Sequence, residues 1–433
     1  MNRNIRSVAS SFVFCAALIA GIGKPARATT WCVNPGGSGG CFAKIGLAVS
    51  TAKPNDIIKV ASGTYKEDVV IGEPLSLVGA NPRSTIIDAT GLPNGIYIDG
   101  LDNPGLSNVV VTGFTVKNAK YEGILVTNAS GVTILGNMVL YNDQNLQPSI
   151  PACPGQPAFE TGEEFDCGEA IHILGADHST VANNLVANNG GGILLSDDTA
   201  QNHDNLVTGN ISSDNPFDCG IVLASHAPAP GSTAAHNGVI NNTIAGNQSI
   251  HNGYQVPGAG AGVGLFSDGS GPGLVSGNVV IQNQLLNNGI PGVAFHSHAP
   301  GDTFANNKII GNHISGNGAD TGDTATPGPT GINLNSGFGA SPISGTVISG
   351  NVIDREAYDL FINTPPQVDA HLNSFIGNGG VGVDNSSGGT VNVTENYWGC
   401  LGGPGAEGCT AVEGTDVMFT PWLISPFGAT GLF

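Results

Sequence analysis

The 433-residue chain is short of positive charge. Lys and Arg total 13 against 33 Asp and Glu, and beyond Lys120 only Lys308 and Arg355 are basic. Such a surface repels nucleic acid and anionic lipid, and repels polyuronates unless cations bridge the two. The same shortage, with charged residues at 11%, leaves too few helix formers for an architecture of long helices. Aromatic residues are only 6%, yet the apolar share of 40% suffices for a core and excludes global disorder. Gly is abundant at 66 residues but has no three-residue period, which excludes collagen. The eight cysteines form no C-x-x-C pair, which weighs against a Cys-based metal site. Past residue 22 no apolar run is long enough to cross a bilayer.

The N-terminus reads as an export signal over residues 1–28. Arg3 and Arg6 precede an apolar stretch from Val8 to Ile22, and Ala26-Arg27-Ala28 is a small-x-small cleavage site. Four basic residues (Arg3, Arg6, Lys24, Arg27) and no acidic ones lie in that segment, so the remainder is more acidic than the −20 of the whole. The expectation is an exported protein, periplasmic, cell-surface or extracellular. In that setting Cys32 with Cys41, and Cys400 with Cys409, read as local disulfides in Gly-rich loops at the two ends. Cys153 and Cys167 are a third candidate pair; with Cys15 inside the signal, that leaves Cys219 over.

The middle of the chain repeats. A Gly-Ile-x-Leu pattern recurs at Ile124, Ile171, Ile193, Ile221, Val263, Val293 and Ile332, with Ala170 in place of Gly before Ile171. Asn recurs in pairs five apart: Asn137/Asn142, Asn184/Asn189, Asn210/Asn215, Asn242/Asn247, Asn278/Asn283 and Asn307/Asn312, with Asn351 and Asn396 extending the first member. Short runs of alternating apolar residues flank them. No unit can bury its apolar face alone, so the pattern implies a solenoid of about three short strands per coil, stacked about 4.8 Å apart. Asn suits its turns, because it tolerates left-handed backbone and its amide can bond the Asn above and below. A β-propeller needs about 40 residues per blade, and the shortest interval here, Ala170 to Gly192, is too short.

These motifs, from about Asp56 to Trp398, resemble the right-handed parallel β-helix superfamily, the pectate-lyase-like fold that includes NosD-type periplasmic proteins. The opening from Ala48-Val49 through Asp56-Ile-Ile-Lys-Val to Tyr65 is similar to the entry coil of many of them. The expected organisation is all-β and single-domain. It comprises a signal over 1–28, a cap with a helix over 29–55, the β-helix over 56–398 and a C-terminal cap over 399–433. The fold hosts lyases, hydrolases, esterases, epimerases and inert stalks, so it does not fix a function.

Counting outward along the Gly-Ile-x-Leu strand, position seven holds Asp198, His226, Asp268 and His298 in successive coils, a candidate ladder of carboxylate and imidazole. Position six holds Ser225, Ser267 and Ser297. Positions three and five, which face outward, add His172, Ser196, Phe266, His296, Asn333 and Asn335. Long inserts at 143–168, 248–261 and 313–330 all enter before this strand. The resemblance implies that loops at this turn wall a groove where polysaccharide lies. We therefore take Asp198, His226, Asp268, His296 and His298 as candidate catalytic residues, with His172, Ser196, Phe266, Asn333 and Asn335 as candidate substrate contacts. Asp198 and Asp268, two coils and about 10 Å apart, suit an inverting hydrolase. In a lyase or epimerase, His296 or His298 would be the base, with a cation neutralising the sugar carboxylate. The lack of Lys and Arg favours a neutral glycan. The competing reading has Asp and His satisfying one another as turn residues in a non-catalytic rod, NosD-like or adhesin-like. His226, His298 and Asp268 are also weighed as a transition-metal trio. No cofactor is certain; Ca²⁺ is the candidate, through Glu163, Glu164 and Asp166 of an acidic insert that also holds Glu160 and Glu169. The alternative there is a solvated loop. Asp320 and Asp323 read as plain loop. With no G-x-S-x-G elbow, a serine nucleophile is not pursued.

Overall fold

The computed structural model describes residues 28–146, 154–160, 168–228, 235–256, 259–323, 325–337, 339, 341–365, 368–377 and 380–427. The chain winds through three long parallel sheets of 14, 12 and 11 strands, each coil adding one strand to each sheet. The Gly-Ile-x-Leu segments make the 12-stranded sheet. Ile193 pairs with Ile221, Ile221 with Val263, Val263 with Val293 and Val293 with Ile332, and all five are fully buried. Residues dozens apart in sequence thus form one interior file, and the three inner faces close on a single core that runs the length of the stack.

The glycine of the motif is required by close approach between coils. A Cβ on Gly192 would lie 2.0 Å from the carbonyl oxygen of Gly220, so only a residue without a side chain lets the coils stack.

The asparagines form three ladders rather than the two that pairs imply. The central one runs from Asn137 through Asn184, Asn210, Asn247, Asn283, Asn312, Asn351 and Asn373 to Asn396. Each side-chain oxygen accepts from the backbone amide of the Asn one coil earlier at 2.8–3.0 Å. A second contains Asn142, Asn189, Asn215, Asn252, Asn288 and Asn317, and a third Asn205, Asn242, Asn278 and Asn307. The spacing of five therefore joins different ladders: Asn184/Asn189 couples the first to the second, Asn242/Asn247 the third to the first. The ladder residues are buried. The left-handed conformation falls on the residue just before each, as at Asn183 (φ 53°), Asn241 (φ 56°) and Gly246 (φ 63°).

The N-terminal end is closed by the one α-helix among the described residues, Ile45–Thr51, which buries Ile45, Ala48 and Val49. Its first amides, Ile45 and Gly46, donate to the Glu67 carboxylate at 2.8 and 2.9 Å. A carboxylate there satisfies unpaired N–H groups and complements the helix dipole. At the other end buried Trp398 packs on Phe375 and Phe419, with ring centroids 5.2 and 6.4 Å away. Disulfides join Cys32 to Cys41 and Cys400 to Cys409. Cys153 and Cys167 lie outside the described residues, as do residues 1–27, where the export signal is expected. Buried Cys219 accepts the Ala261 amide at 3.2 Å. No helix among the described residues is long and apolar enough to cross a membrane.

Candidate functional site

Four consecutive coils depart from three strands. After Gly191–Ser196, Ile221–Ser225, Val263–Ser267 and Val293–His296, the chain adds a short strand (Asn202–His203, Val239–Ile240, Leu274–Ser276 and Thr303–Ala305) that builds a fourth, four-stranded sheet. These are the coils that carry Asp198, His226, Asp268 and His298, so the polar residues occupy a widened corner. Two carboxylates hold that corner. Asp197 accepts from the His226 amide at 2.6 Å, the Ser225 hydroxyl at 3.1 Å and the Gly238 amide. Asp302 accepts from the hydroxyls of Ser267 and Ser297 at 2.7 and 2.9 Å, and from the Gly273 and Ala299 amides. Sequence reasoning passed over both aspartates because neither occupies the position of the ladder. The three serines are bound up in the corner rather than poised as nucleophiles.

The expected ladder forms at one step. His226 Nδ1 lies 3.3 Å from Asp198 Oδ2. The Ser196 hydroxyl donates to the same oxygen at 2.6 Å, and His172 Nε2 lies 2.8 Å from that hydroxyl. The chain His172–Ser196–Asp198–His226 thus crosses three coils, and all four side chains are buried. Burial works against the Asp198 charge, but His226, then His172 and the Ser196 hydroxyl, hold its carboxyl well below the usual range. Burial pushes His172 down to about 4, against the opposing pull of the Asp198 charge.

Asp268 turns away from the ladder. Its Oδ2 accepts the Ala227 amide at 2.8 Å and its Oδ1 accepts from the Ser270 amide and hydroxyl. The imidazole beside it is His236, Nε2 3.4 Å from Oδ1, a residue that sequence spacing did not single out because it sits beyond an insert. Asp268 remains half-buried.

At the fourth coil the insert supplies the acids. His296 lies between Asp320 Oδ2, 2.9 Å from its Nε2, and Asp323 Oδ2, 3.1 Å from its Nδ1. Asp323 also reaches His298 Nε2 at 3.3 Å. Burial opposes a charge on His296, but Asp320 and Asp323 together push its pKa up to about 9, so at neutral pH it is an imidazolium. The two histidines in turn hold the Asp323 carboxyl far below the usual range. Asp320 and Asp323, read from sequence as plain loop, are thus the partners of the very residue expected to be a base, and as an imidazolium His296 donates rather than accepts protons. The Phe266 ring comes so close to Gly264 that a Cβ there would lie 2.7 Å from it, and it packs against His296 with centroids 4.8 Å apart and the rings tilted by 36°.

Of the expected substrate contacts, His172, Ser196, Asn333 and Asn335 are buried, and Phe266 alone keeps a partly exposed ring. Leu194, Val222, Ala224 and Ala294 fill the middle of the same outer face as a second apolar cluster. The face reaches solvent at its edge, through Phe266, Asp268, His298 and Asp323. His296, His298 and Asp323 offer three ligand atoms within 4.8 Å of one another, as do His178, His203 and Asp204 at the surface and Glu122, Glu169 and His172 in the interior. The trio His226, His298 and Asp268 does not come together in this way among the described residues. Glu163, Glu164 and Asp166 lie outside the described residues.

Three parallel sheets wound coil upon coil make the parallel β-helix fold that the sequence repeats led us to expect. The family model of the right-handed β-helix region matches residues 83–257. The fold is similar to that of DFA-IIIase from Arthrobacter chlorophenolicus A6 without its lid (TM-score 0.55, 13% identity, 90% of this chain and 99% of that one). It is also similar to the catalytic unit of a thermostable GH87 α-1,3-glucanase from Streptomyces thermodiastaticus strain HF3-3 (TM-score 0.50, 13% identity, 94% and 71%). ORF18 of Geobacillus virus E2 is matched at TM-score 0.47 and 14% identity over 79% of this chain, which spans only 58% of that protein. No curated protein matches the chain.

Proposed function

We propose that this protein is exported and binds a neutral extracellular polysaccharide along the solvent-reaching edge of its Gly-Ile sheet, where it cleaves or modifies it. One observation carries the reading: Phe266, Asp268, His298 and Asp323 keep solvent exposure beside the buried polar residues of the same coils, and Asp323 joins His296, the ring neighbour of Phe266, to His298. Phe266 offers an apolar ring to a sugar face, and ionised Asp323 accepts hydrogen bonds from sugar hydroxyls. The acid-rich surface disfavours polyuronates. Two solved structures of similar fold bear the names DFA-IIIase and α-1,3-glucanase, which agrees with a carbohydrate ligand. Export is supported by the two disulfides.

A non-catalytic rod is the second reading, favoured by the mutual satisfaction of Asp198, Ser196 and His226. The test is a panel of neutral and acidic glycans presented to the purified chain, with and without Ca²⁺. It is scored for binding, for new reducing ends and for unsaturated products by ultraviolet absorbance. Turnover lost in Asp268→Ala and His298→Ala supports catalysis at the edge. Binding without turnover supports the rod. Binding and turnover unchanged in both variants refute the assignment of the edge.

A further inference from the structure

At the other end of the buried chain of polar residues, hydrogen-bond bookkeeping leaves one atom with a lone pair and, among the described residues, no donor to it. The Asp198 carboxylate only accepts, so the single hydroxyl proton of Ser196 is spent on it at 2.6 Å. Ser196 Oγ must then accept from His172 Nε2, 2.8 Å away. The proton of the neutral imidazole therefore sits on Nε2, and Nδ1 carries the lone pair. His172 is only 3% exposed, and its Nδ1 finds no hydrogen-bond partner among the described residues. Around it stand two buried carboxylates. Glu122, Glu169 and His172 each offer a ligand atom, all within 4.8 Å of one another.

We propose that Glu122, Glu169 and His172 Nδ1 bind one divalent transition ion of the Zn²⁺ kind. The donor set fits: one imidazole with two carboxylates suits a borderline ion, and two negative charges neutralise it. The further shell fits as well. A metal-bound histidine characteristically donates its other N–H to a fixed acceptor, and Ser196, backed by Asp198, is that acceptor. The backbone makes room: Gly191 pairs with Glu169 in register, and a Cβ on it would meet Glu169 Oε1 at 3.1 Å. Three ligand atoms within 4.8 Å of one another can surround an ion whose bonds are about 2.0–2.2 Å long once the side chains close on it. This site lies apart from Phe266 and Asp323 and does not depend on the glycan reading.

The test uses the full chain, stripped with chelator and titrated with Zn²⁺, with metal content measured after gel filtration. The expected result is one Zn²⁺ per chain that excess Ca²⁺ fails to displace. His172→Gln and Glu169→Gln are each expected to weaken binding at least 10-fold while circular dichroism stays that of the parent. Ser196→Ala, which frees the Nε2 proton, is expected to weaken it as well, about 10–100-fold. Absence of stoichiometric Zn²⁺, displacement by Ca²⁺, or unchanged affinity in His172→Gln would overturn the assignment. So would affinity that falls instead in Asp323→Asn or His203→Gln, which belong to the other two ligand groups.

Discussion

Asp198 and His226 face each other across one coil, Oδ2 3.3 Å from Nδ1, with each side chain 2% exposed. A buried pair of this kind is costly to break from one side, because the remaining polar group keeps its burial and loses its partner. Asp198→Ala is expected to cost about 3–5 kcal/mol in denaturant unfolding. The neighbour His172 gives the network a pH signature. Its folded pKa of about 4 lies below the ordinary 6.5, so the unfolded chain binds more protons between those values. Stability is therefore present above pH 6.5 and is lost as pH falls toward 4. A His172→Gln variant should show a flatter profile over that window; an identical profile would remove His172 from the account.

Glu356 takes the place of an asparagine at the end of the second ladder, where its Oε1 accepts from the backbone and side-chain amides of Asn317, both at 3.0 Å. Burial, partly offset by those bonds, raises its pKa from 4.5 to about 7. Neighbouring Asp359 is buried too and is raised well above its ordinary value, Glu356 adding to the effect of burial. A carboxyl whose folded pKa is raised binds more protons folded than unfolded, so stability is lost as pH rises from 4.5 through 7. Glu356→Gln keeps the acceptor and removes the charge. It should raise stability by about 3 kcal/mol at about pH 8 and change it little below about pH 5. Equal effects at both pH values would mean that Glu356 is not the titrating group.

The stacking was legible because its signal is periodic and backbone-driven. Gly192 and Gly262 recur where a Cβ would strike the glycine carbonyl of the next coil, and Ile193, Ile221 and Val263 recur where the core file runs. The polar corner was only half legible. Asp198 and His226 fell one above the other because counting along a rigid strand preserves register. Asp268, as near its strand end as His226, did not, because its carboxylate is taken by the Ala227 amide, by Ser270 and by His236, which arrives from beyond an insert. Asp320 and Asp323 carried no periodic mark at all; only folding the insert back places them on His296. The third ladder was hidden for a different reason: a spacing of five residues is the same whichever two corners it connects.

Asn247 sits mid-ladder with four buried bonds. Its oxygen accepts from the Asn210 amide and side chain at 2.9 and 3.0 Å, and its Nδ2 donates to Val207 O and Asn283 Oδ1 at 2.9 and 3.0 Å. Asn247→Ala strands donors and acceptors on both sides, each at about 1–3 kcal/mol. A loss of about 3–5 kcal/mol is expected on partial relaxation. Because coils contact only their neighbours, the damage should be local. Hydrogen exchange should speed up in the coils of Asn210 and Asn283 before those near Asn137 or Asn396. Uniform acceleration along the rod would show that the ladder acts as one cooperative unit instead.

The edge of the Gly-Ile sheet gives the sharpest functional test, because Asp323 and Phe266 separate two roles. Asp323 holds His296 and His298 and is itself 44% exposed, so it both fixes the cluster and reaches solvent. Asp323→Asn removes one of the two charges that keep His296 protonated, and the His296 pKa should drop from about 9. Histidine resonances followed by NMR would report that drop without any substrate. Phe266→Ala leaves the carboxylates in place and removes only the ring that packs, tilted, against His296. If a glycan lies on this edge, Phe266→Ala should weaken its binding about 10-fold with no change in the pH dependence. Asp323→Asn should weaken it by a similar factor and also shift the alkaline limb of any turnover toward lower pH, since the imidazolium is then lost earlier. A shifted His296 titration with unaltered glycan affinity in both variants would leave the cluster intact as chemistry and remove it from the binding surface.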